Sequence, residues 1–418
     1  MINHFKQIVN GYNPNRMMSV DLLRGVTIFT MILVNNPGSW GNLYSPLAHA
    51  VWHGWTITDL VFPFFLFIVG LSIALSANQT ASSCDKKNQA NTIGINRFEL
   101  LQIVARTVKL FLLGWLLGLS YYNFYDPQFS WFNDKLLSIR WFGVLQRIAI
   151  VYFVCAICFR LMTNRQLIIL CMVLLGAYWT AMMLLPYIDN NGNQLVGVLL
   201  PGNNLAAYID HHLFGVNHLY HKSTQPFASD PEGLLTTVPA LVNCLIGILV
   251  AKSVLLKPNT PDEKTATVNQ EQKVKQQIIK LLWIAFPMLL LAYIASNWFP
   301  FNKNLWSPPY VLLSSSLAII VLALARWLID LMGAKLWTAP FLVFGSNAIA
   351  LFMLSGFVAR LLSMVKIDGL SLKTSVYSMV ELISDDAKLN SLCFALLFML
   401  VMYCPLYWMY QKKLFWKV

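Results

Sequence analysis

The side chains best suited to catalysis lie between residues 34 and 70, where His49, His53 and Asp59 are close in the sequence. A neutral imidazole can accept a proton or attack a carbonyl carbon, and a carboxylate can orient it and stabilise its cationic form. His49 and His53 stand four residues apart and share a face if the segment is helical. No Glu fills the place that an H-E-x-x-H zinc motif requires, so no metal is expected.

Some of these residues also have a simpler interpretation. His53 stands among Trp52 and Trp55, a composition typical of aromatic belts at membrane interfaces, and we favour that role for His53. Asp59 stands at the predicted start of a helix, where a carboxylate complements the helix dipole and Thr56 can act as the cap. A chemical role for Asp59 requires that its carboxylate meets an imidazole.

Ionisable side chains also occur within apolar segments, where each costs at least ~2.5 kcal/mol on insertion scales. Asp21 and Arg24 are three residues apart on one predicted helix and can therefore pair with each other. Arg147 lies about 10 Å deeper along its helix than Arg140. We expect Arg147, with the adjacent Gln146, to face a water-filled cavity.

The composition identifies the kind of protein that must position these groups. Of 418 residues, 57% are hydrophobic and 11% charged, whereas soluble proteins carry about 25% charged residues. This excludes a soluble globule, a disordered chain and a secreted disulfide scaffold, and favours a polytopic membrane protein. The net charge of +12 indicates loops that face anionic membrane lipid, and a nucleic-acid partner is not expected.

Ten apolar runs are each long enough to cross a bilayer as a helix. They cover residues 17–36, 56–77, 100–120, 140–161, 166–186, 234–255, 278–297, 308–328, 338–363 and 390–410. The runs lack strand alternation, so we predict an all-α, polytopic membrane protein with about ten transmembrane helices rather than a barrel.

The distribution of Lys and Arg between the loops predicts that both termini are cytoplasmic. We expect one transmembrane domain over residues 1–418, without a cleaved signal peptide. Residues 187–233 are predicted to form a structured extracytoplasmic cap, and residues 256–277 a flexible cytoplasmic linker. Residues 370–386 could form an amphipathic helix on the outer surface.

Several long motifs together resemble one known family. They read SVDLLRG, HAVWHGWTITDLVFPFFLFIVG, GVLQR, PGNNLAAYIDHHLFGVNHLY and DPEGLLTTVPAL. From about Ser19 to its end, the chain resembles the heparan-α-glucosaminide N-acetyltransferase family, including its bacterial relatives. The resemblance implies a multi-helix membrane enzyme that uses cytosolic acetyl-CoA to acetylate the amino group of a terminal glucosamine across the membrane.

The resemblance also carries residue roles. By motif, His49 matches the family's active-site histidine, and Asn35 matches the asparagine near it at the end of the preceding helix. The compact chain resembles a bacterial version, which implies the bacterial inner membrane and a glucosamine-containing wall or surface glycan as acceptor. A homodimer is also compatible with the family.

Two mechanisms for acetyl transfer remain open at this point. His49 can remove a proton from the acceptor amine in a ternary complex, or it can carry the acetyl group itself as an acetyl-imidazole. Asn35 is a candidate donor to the oxyanion, and Asp59 a candidate orienting carboxylate.

Acetyl-CoA carries phosphate charges, so a water-filled cavity between helices must hold it. Arg24 and Arg147, with Gln146, are the predicted phosphate ligands, since Arg offers bidentate contacts. The alternative is that each Arg only neutralises a nearby carboxylate.

The predicted cap offers groups for the acceptor. Asp230 and Glu232 provide carboxylates for a sugar hydroxyl or an ammonium group, and His218 could assist them. Two other functions remain open. The acceptor group could be a glycan hydroxyl, or the chain could be a proton-coupled carrier for a sugar or a lipid-linked sugar.

Overall fold

Long apolar helices dominate the computed structural model. It describes residues 2–13, 16–83, 95–256, 270–367 and 369–416. Within these ranges the α-helices are α1 (Ile2–Asn10), α2 (Met18–Asn35), α3 (Ile57–Ser83), α4 (Arg97–Leu119), α5 (Val144–Leu161), α6 (Asn164–Leu184), α7 (Leu205–Phe214), α8 (Leu234–Val250), α9 (Gln270–Ala295), α10 (Pro308–Arg326), α11 (Ala339–Ser346), α12 (Ala348–Met364), α13 (Leu372–Val380) and α14 (Ala387–Gln411).

Shorter elements complete the chain. The 3₁₀ turns are Ser45–Leu47, Val216–His218 and Leu336–Thr338, and the π-helical turns are Phe132–Leu136, Ala251–Leu255 and Trp327–Leu331. The strands form three antiparallel pairs, β1 (Tyr187–Ile188) with β2 (Gln194–Leu195), β3 (Leu199–Leu200) with β4 (Asn203–Asn204), and β5 (Lys366–Ile367) with β6 (Leu370–Ser371).

Nine helices of the described ranges are long and apolar enough to cross a membrane. A tenth span exists if the bent pair Leu336–Ser346 and Ala348–Met364 crosses as one unit. These elements correspond to the ten predicted runs. The prediction of an all-α polytopic membrane protein is therefore confirmed, and the chain is an integral membrane protein.

The predicted span 338–363 is broken by a bend of 73°. Asn347 stands at the break with φ −132° and ψ 47°, outside the helical region. Its side chain donates to the carbonyl of Leu414 at 3.0 Å and accepts from the amide of Trp416 at 2.9 Å. The bend therefore coincides with a tertiary contact to the end of the chain, which local periodicity does not reveal.

Helices α3 and α8 cross with their backbones in contact. A Cβ at Gly70 would lie 2.0 Å from the carbonyl oxygen of Cys244, and a Cβ at Gly247 would lie 2.1 Å from that of Phe67. Only glycine fits at either position, as at other close helix crossings in membranes. This contact fixes the helix that begins at Ile57 against the helix that begins at Leu234.

The predicted cap, residues 187–233, is folded. It contains two of the strand pairs and α7, and Phe227 packs at its centre with only 1% of its surface exposed. The indole Nε1 of Trp52 donates to the carbonyl of Leu199 at 2.7 Å and so joins the cap to the loop before α3. The side of the membrane on which the cap lies stays a prediction.

The predicted linker 256–277 is shorter than expected at its far end. Residues 257–269 lie outside the described residues, but α9 begins at Gln270. Lys275 and Glu271 form an i,i+4 ion pair, and Gln277 receives a hydrogen bond of 2.8 Å from Arg326. Good helix-forming residues with such contacts extend the helix beyond its apolar segment.

Candidate active site

His49 lies in the irregular segment between the turn Ser45–Leu47 and α3. Its Nδ1 is 2.6 Å from Oδ1 of Asp59, the third residue of α3. Because the segment is not helical, His49 and His53 do not share a helix face. His53 faces Asn302 instead, with 3.4 Å between their side-chain nitrogens.

The Asp59 carboxylate is almost completely buried and accepts several hydrogen bonds. Its Oδ2 accepts from the backbone amides of Ala50 and Thr56, each at 3.0 Å. The amide of Thr56 lies just before α3, so this contact caps the helix, and the carboxylate also complements the helix dipole. Asp59 thus serves the helix and the imidazole together.

These contacts assign the protonation of the His49 ring. A carboxylate that accepts two amide hydrogens on Oδ2 is an ionised acceptor, so Nδ1 of His49 carries the hydrogen and donates it to Oδ1. The lone pair of the neutral ring is then on Nε2. Since 46% of the His49 side chain is exposed, a substrate can reach the ring from the side opposite to Asp59.

Lys303, which is not among the predicted site residues, also lies against the imidazole. Its Nζ is 3.2 Å from Nδ1 and 3.3 Å from Nε2 of His49, and 3.9 Å from Oδ1 of Asp59. Lys303 is 254 positions from His49 in the chain. The sequence offers no local signal for such a contact beyond a lone cation in a short loop between two predicted spans.

The start of α8 brings two more carboxylates to this region. The Arg140 guanidinium binds both Asp230 and Glu232, with Nε of Arg140 2.7 Å from Oδ2 of Asp230. Burial opposes the charge of Glu232, but Arg140, Arg147 and Lys303 outweigh it and lower the pKa of this carboxyl. Arg140 lies before α5 rather than inside a helix, so the predicted span 140–161 begins too early, at a residue that these carboxylates hold.

Arg147 also lies near the start of α8. It is fully buried, donates to the carbonyl of Gly233 at 3.1 Å and to Thr236, and lies 4.9 Å from the ring centre of Trp306. Gln146 is also buried and donates to the carbonyl of Phe111 at 3.3 Å. The start of α8 and Trp306 thus lie against the guanidinium of Arg147, whose Nε and Nη1 have no hydrogen-bond partner among the described residues, and the predicted water-filled cavity at Arg147 stays a prediction.

Two other predicted site residues, Asn35 and His218, make no hydrogen bond to His49 in the described part of the chain. Asn35 ends α2 with an exposed side chain, and in the described part of the chain its amide makes no hydrogen bond. His218 is half-buried and holds the carbonyl of Ile139 through Nδ1 at 2.7 Å, next to Arg140. The roles of both residues stay predictions.

We call the group of His49, Asp59, Lys303 and Glu232 the histidine site. Burial lowers the pKa of the Lys303 amine, whereas the charges of Glu232 and Asp59 raise it and Arg147 lowers it further. The net pKa of Lys303 is below its ordinary value. The site thus combines an imidazole with an ammonium group and two carboxylates, of which Asp59 is fixed to the ring.

A cavity of about 450 Å³ opens near the start of α2. Arg24 lies on its wall, bound to Asp21 at 2.9 Å and to the hydroxyl of Ser72 at 2.7 Å, which confirms the predicted pair. Arg16 and Arg106 also line it, and no Asp or Glu stands among its described lining residues. We call this space the arginine cavity. Neither Arg147 nor Gln146 lines it.

A narrow apolar recess extends the arginine cavity along the bundle. Phe65, Leu110 and Ile148 line both spaces, and the recess continues to Met31 of α2 and Val144 at the start of α5. Ser72, beside Arg24, follows Asp59 by 13 residues in α3, so about 20 Å of helix separates the arginine cavity from the histidine site.

Among the described residues, no group of three or more His, Cys, Asp or Glu side chains is placed to hold a metal ion. The chemistry that this region supports with its own side chains is proton transfer or nucleophilic attack at Nε2 of His49. A nearby ammonium can stabilise negative charge that forms there.

Comparisons with known proteins identify the family of this chain. The family model described as "Heparan-alpha-glucosaminide N-acetyltransferase, catalytic" matches residues 16–279. The chain is 30% identical to the heparan-alpha-glucosaminide N-acetyltransferase of Homo sapiens, over 81% of this chain and 52% of the human protein. For the Mus musculus protein of the same name the values are 28%, 97% and 61%.

The chain thus spans 52% to 61% of the length of these two relatives. The matched residues 16–279 include His49, Asp59, Arg147 and Glu232, whereas Lys303 lies beyond them. Because the match covers more than half of the sequence, we conclude that the chain belongs to the heparan-alpha-glucosaminide N-acetyltransferase family.

Proposed function

We propose that this protein is a membrane acetyltransferase that moves the acetyl group of acetyl-CoA to the amino group of a glucosamine-containing sugar. The observation that carries the proposal is the contact between Nδ1 of His49 and the buried Asp59 carboxylate, which orients a half-exposed imidazole and leaves its Nε2 free of that contact. The names of the two relatives support the reaction. His49 acts at Nε2, either as the base for the acceptor amine or as the carrier of the acetyl group.

The arginine cavity receives the phosphate groups of acetyl-CoA. Arg24 is its best-placed ligand, because the guanidinium is fixed by Asp21 and Ser72 and lies on the cavity wall with Arg16 and Arg106. A cluster of arginines without a lining carboxylate suits an anionic ligand. The apolar recess adjoins this cavity and has a free volume of about 20 Å³, and we propose that it widens when the acetylated arm of the donor enters it.

Arg147, which is predicted above to bind phosphate together with Gln146, has another role in this proposal. Arg147 holds the start of α8 through Gly233 and Thr236, and its charge helps to keep Glu232 ionised. Glu232 and Asp230, with His218 beside Arg140, then form the acceptor side. The Glu232 carboxylate, which interacts with Lys303 beside His49, attracts the ammonium form of an amino sugar.

The membrane arrangement of the reaction is also a proposal. The excess of Lys and Arg in alternate loops supports a cytosolic arginine cavity and an extracytoplasmic histidine site, with the cap on the outer side. Asn35 remains the candidate amide donor at the transferred carbonyl, since its side chain is exposed at the end of α2. A bacterial inner membrane and a wall or surface glycan are the proposed setting, and a homodimer is compatible with it.

Purified full-length protein in detergent tests the proposal. We expect continued release of free CoA thiol from acetyl-CoA, beyond one equivalent of enzyme, only when glucosamine or a glucosamine oligomer is present, with N-acetylated product detected by mass spectrometry. N-acetylglucosamine, which offers hydroxyls but no free amine, is the matched acceptor control. Thiol release with that control would indicate O-acetylation, and sugar exchange in proteoliposomes without CoA consumption would indicate a carrier. Either result would overturn the proposed N-acetylation.

A further inference from the structure

Lys303 touches the reactive part of the imidazole. Its Nζ is nearly equidistant from Nδ1 and Nε2 of His49, at 3.2 and 3.3 Å. The in-plane directions of the two nitrogens diverge and Cε1 lies between them, so an atom this close to both nitrogens lies outside the ring plane, above the Nδ1–Cε1–Nε2 side of the ring. The lone pair of Nε2 therefore stays open, and a cation lies beside the space in front of it.

The loop between α9 and α10 holds Lys303 in this position. The buried Asn302 side chain donates to the carbonyl of Trp52 at 3.0 Å, and the amide of Gly54 donates to the carbonyl of Phe301 at 2.8 Å. Both contacts join this loop to the segment that carries His49.

Strain and burial further fix the same loop. Trp306 has φ +50°, a conformation that non-glycine residues rarely adopt and that proteins retain mainly at functional sites. Its indole donates to Asn243 at 2.8 Å, and Tyr178 donates to the carbonyl of Leu305 at 2.5 Å. The Lys303 ammonium is thus placed by a rigid support rather than by a mobile surface loop.

The charges around Lys303 favour a cation that is held but not neutralised by one partner. Asp59 Oδ1, at 3.9 Å, already accepts the shorter hydrogen bond from His49. Glu232 contributes a second negative charge, Arg147 a positive one, and Arg140 binds Glu232 directly. The ammonium hydrogens that point away from these groups are available to a substrate, because a lysine ammonium has three donors.

We propose that Lys303 is a catalytic residue whose ammonium group donates a hydrogen bond to the carbonyl oxygen of the transferred acetyl group, where negative charge develops during attack. This inference rests on the proposed acetyl transfer. Asn35 can act as a second donor at the same oxygen, but Lys303 contributes a full charge within reach of the atoms bonded to Nε2.

The step balances with the groups present. The bound acceptor ammonium first releases one proton to water. When the neutral amine then attacks the acetyl carbon, an N–C bond forms, Nε2 of His49 takes a second amine proton, and the carbonyl oxygen becomes an oxyanion bound by Lys303. The C–S bond then breaks, the oxyanion returns to a carbonyl, and CoA thiolate takes the proton from Nε2. If His49 first carries the acetyl group, the same oxygen passes through an oxyanion in each half-reaction, so Lys303 acts twice.

Replacement of the ammonium tests the inference. For Lys303→Met we expect kcat to fall on the order of 10²–10³-fold, the usual effect of one lost oxyanion donor, with the affinity for acetyl-CoA unchanged. Lys303→Arg, which keeps a cation with another shape, should retain more activity than Lys303→Met. Lys222→Met removes an exposed lysine of the cap and is the matched control, with wild-type kcat. Thermal unfolding of each variant in detergent verifies that it folds.

The dependence of kcat on pH separates a catalytic role from a structural one. Activity that requires the Lys303 ammonium is lost as the pH rises through the pKa of Lys303, which burial lowers, while His49, Asp59, Glu232 and Arg147 are the charged or titratable groups that face it. In Lys303→Arg the guanidinium stays protonated, so the alkaline limb should move to higher pH. A structural contact alone would not move that limb.

Two results would overturn the inference, wild-type kcat in Lys303→Met or an unmoved alkaline limb in Lys303→Arg. Failure of the proposed function would differ from both, since wild-type protein would then release no CoA thiol with an amino sugar.

Discussion

The histidine site and the arginine cavity both contain charged side chains, but they differ in how these charges are paired and in how much open space surrounds them. At the histidine site each charge is close to an opposite charge, and the Asp59 carboxylate accepts from His49, Ala50 and Thr56. At the arginine cavity three guanidinium groups line about 450 Å³ of space, and Asp21, which binds Arg16 and Arg24, is the one carboxylate paired with them among the described residues. One region is tightly packed and the other is open.

This difference is what acetyl transfer from a large anionic donor requires. Chemistry at Nε2 needs an imidazole held in one orientation, and dense hydrogen bonding supplies it. Binding of phosphate needs volume and uncompensated positive charge, which packed ion pairs would remove. We therefore expect substitutions at the histidine site to lower kcat and substitutions at the arginine cavity to weaken donor binding.

The largest effect is expected for His49→Ala. Loss of the imidazole should lower kcat on the order of 10²–10⁴-fold, because the variant lacks the Nε2 atom that acts as base or carrier. The affinity for acetyl-CoA, measured by isothermal titration calorimetry in detergent, should stay at the wild-type value. His212→Ala, which removes an exposed cap histidine, is the matched control. Full turnover by His49→Ala would show that acetyl transfer does not take place at the histidine site.

Asp59→Asn should have a smaller effect on the same step. The amide cannot hold His49 in the Nδ1–H form as an ionised carboxylate does, so kcat should fall on the order of 10²-fold while the ring stays present. Stopped assays of CoA thiol release at saturating donor measure this change. In the double variant His49→Ala, Asp59→Asn the losses should not add, because both residues act as one unit. Additive losses would indicate that Asp59 acts independently of the imidazole.

Arg24→Ala should separate the two regions most clearly. Removal of a guanidinium that binds phosphate costs about 1.5–3 kcal/mol, so Kd for acetyl-CoA should rise about 10–100-fold with kcat at saturation nearly unchanged. Arg165→Ala, an exposed arginine at the start of α6, is the control for loss of charge. Unchanged donor affinity in Arg24→Ala would remove the arginine cavity from the proposed donor site.

Hydrophobic runs and short-range spacing predicted the spans and the Asp21–Arg24 pair. The spans follow from the length that a bilayer requires, and the ion pair from the geometry of one helix turn. Asp59 was also predicted as a candidate to orient His49, since both residues lie in one short segment that includes the start of α3. In each case the partners are near neighbours in the chain.

The features that the sequence did not reveal depend on distant contacts. Lys303 reaches His49 across 254 positions, and the bend at Asn347 coincides with hydrogen bonds to residues near the chain end. Arg147 illustrates the same limit. The sequence places this arginine deep in a helix, but it does not show which groups surround it. Those groups are Gly233, Thr236 and Trp306, and their positions depend on how α5 packs against α8 and α10.

The smallest expected effect concerns the stability of the protein rather than kcat, and it involves the contact between α7 and the start of α8. Asp210 of α7 accepts from the amide of Leu234 at 3.0 Å through Oδ1, while its buried Oδ2 has no partner among the described residues. Burial raises the pKa of this carboxyl to about 7. Because the folded value exceeds the unfolded value of about 3.9, the folded state binds the extra proton. The stability that Asp210 contributes is therefore complete at low pH and is lost as the pH rises through about 7.

Asp210→Asn keeps the shape of the side chain without the charge. We expect its melting temperature in detergent to exceed that of wild type by a margin that grows from pH 5 to pH 8, with kcat and donor affinity unchanged. Asp385→Asn, an exposed aspartate before α14, should give no such trend. A margin that is equal at pH 5 and pH 8 would mean that the Asp210 carboxylate is accommodated in its charged form. The packed region around Asp210 would then tolerate a buried charge without a pH-dependent loss of stability. It would differ from the arginine cavity in how little open space it contains, and not in how it accommodates charge.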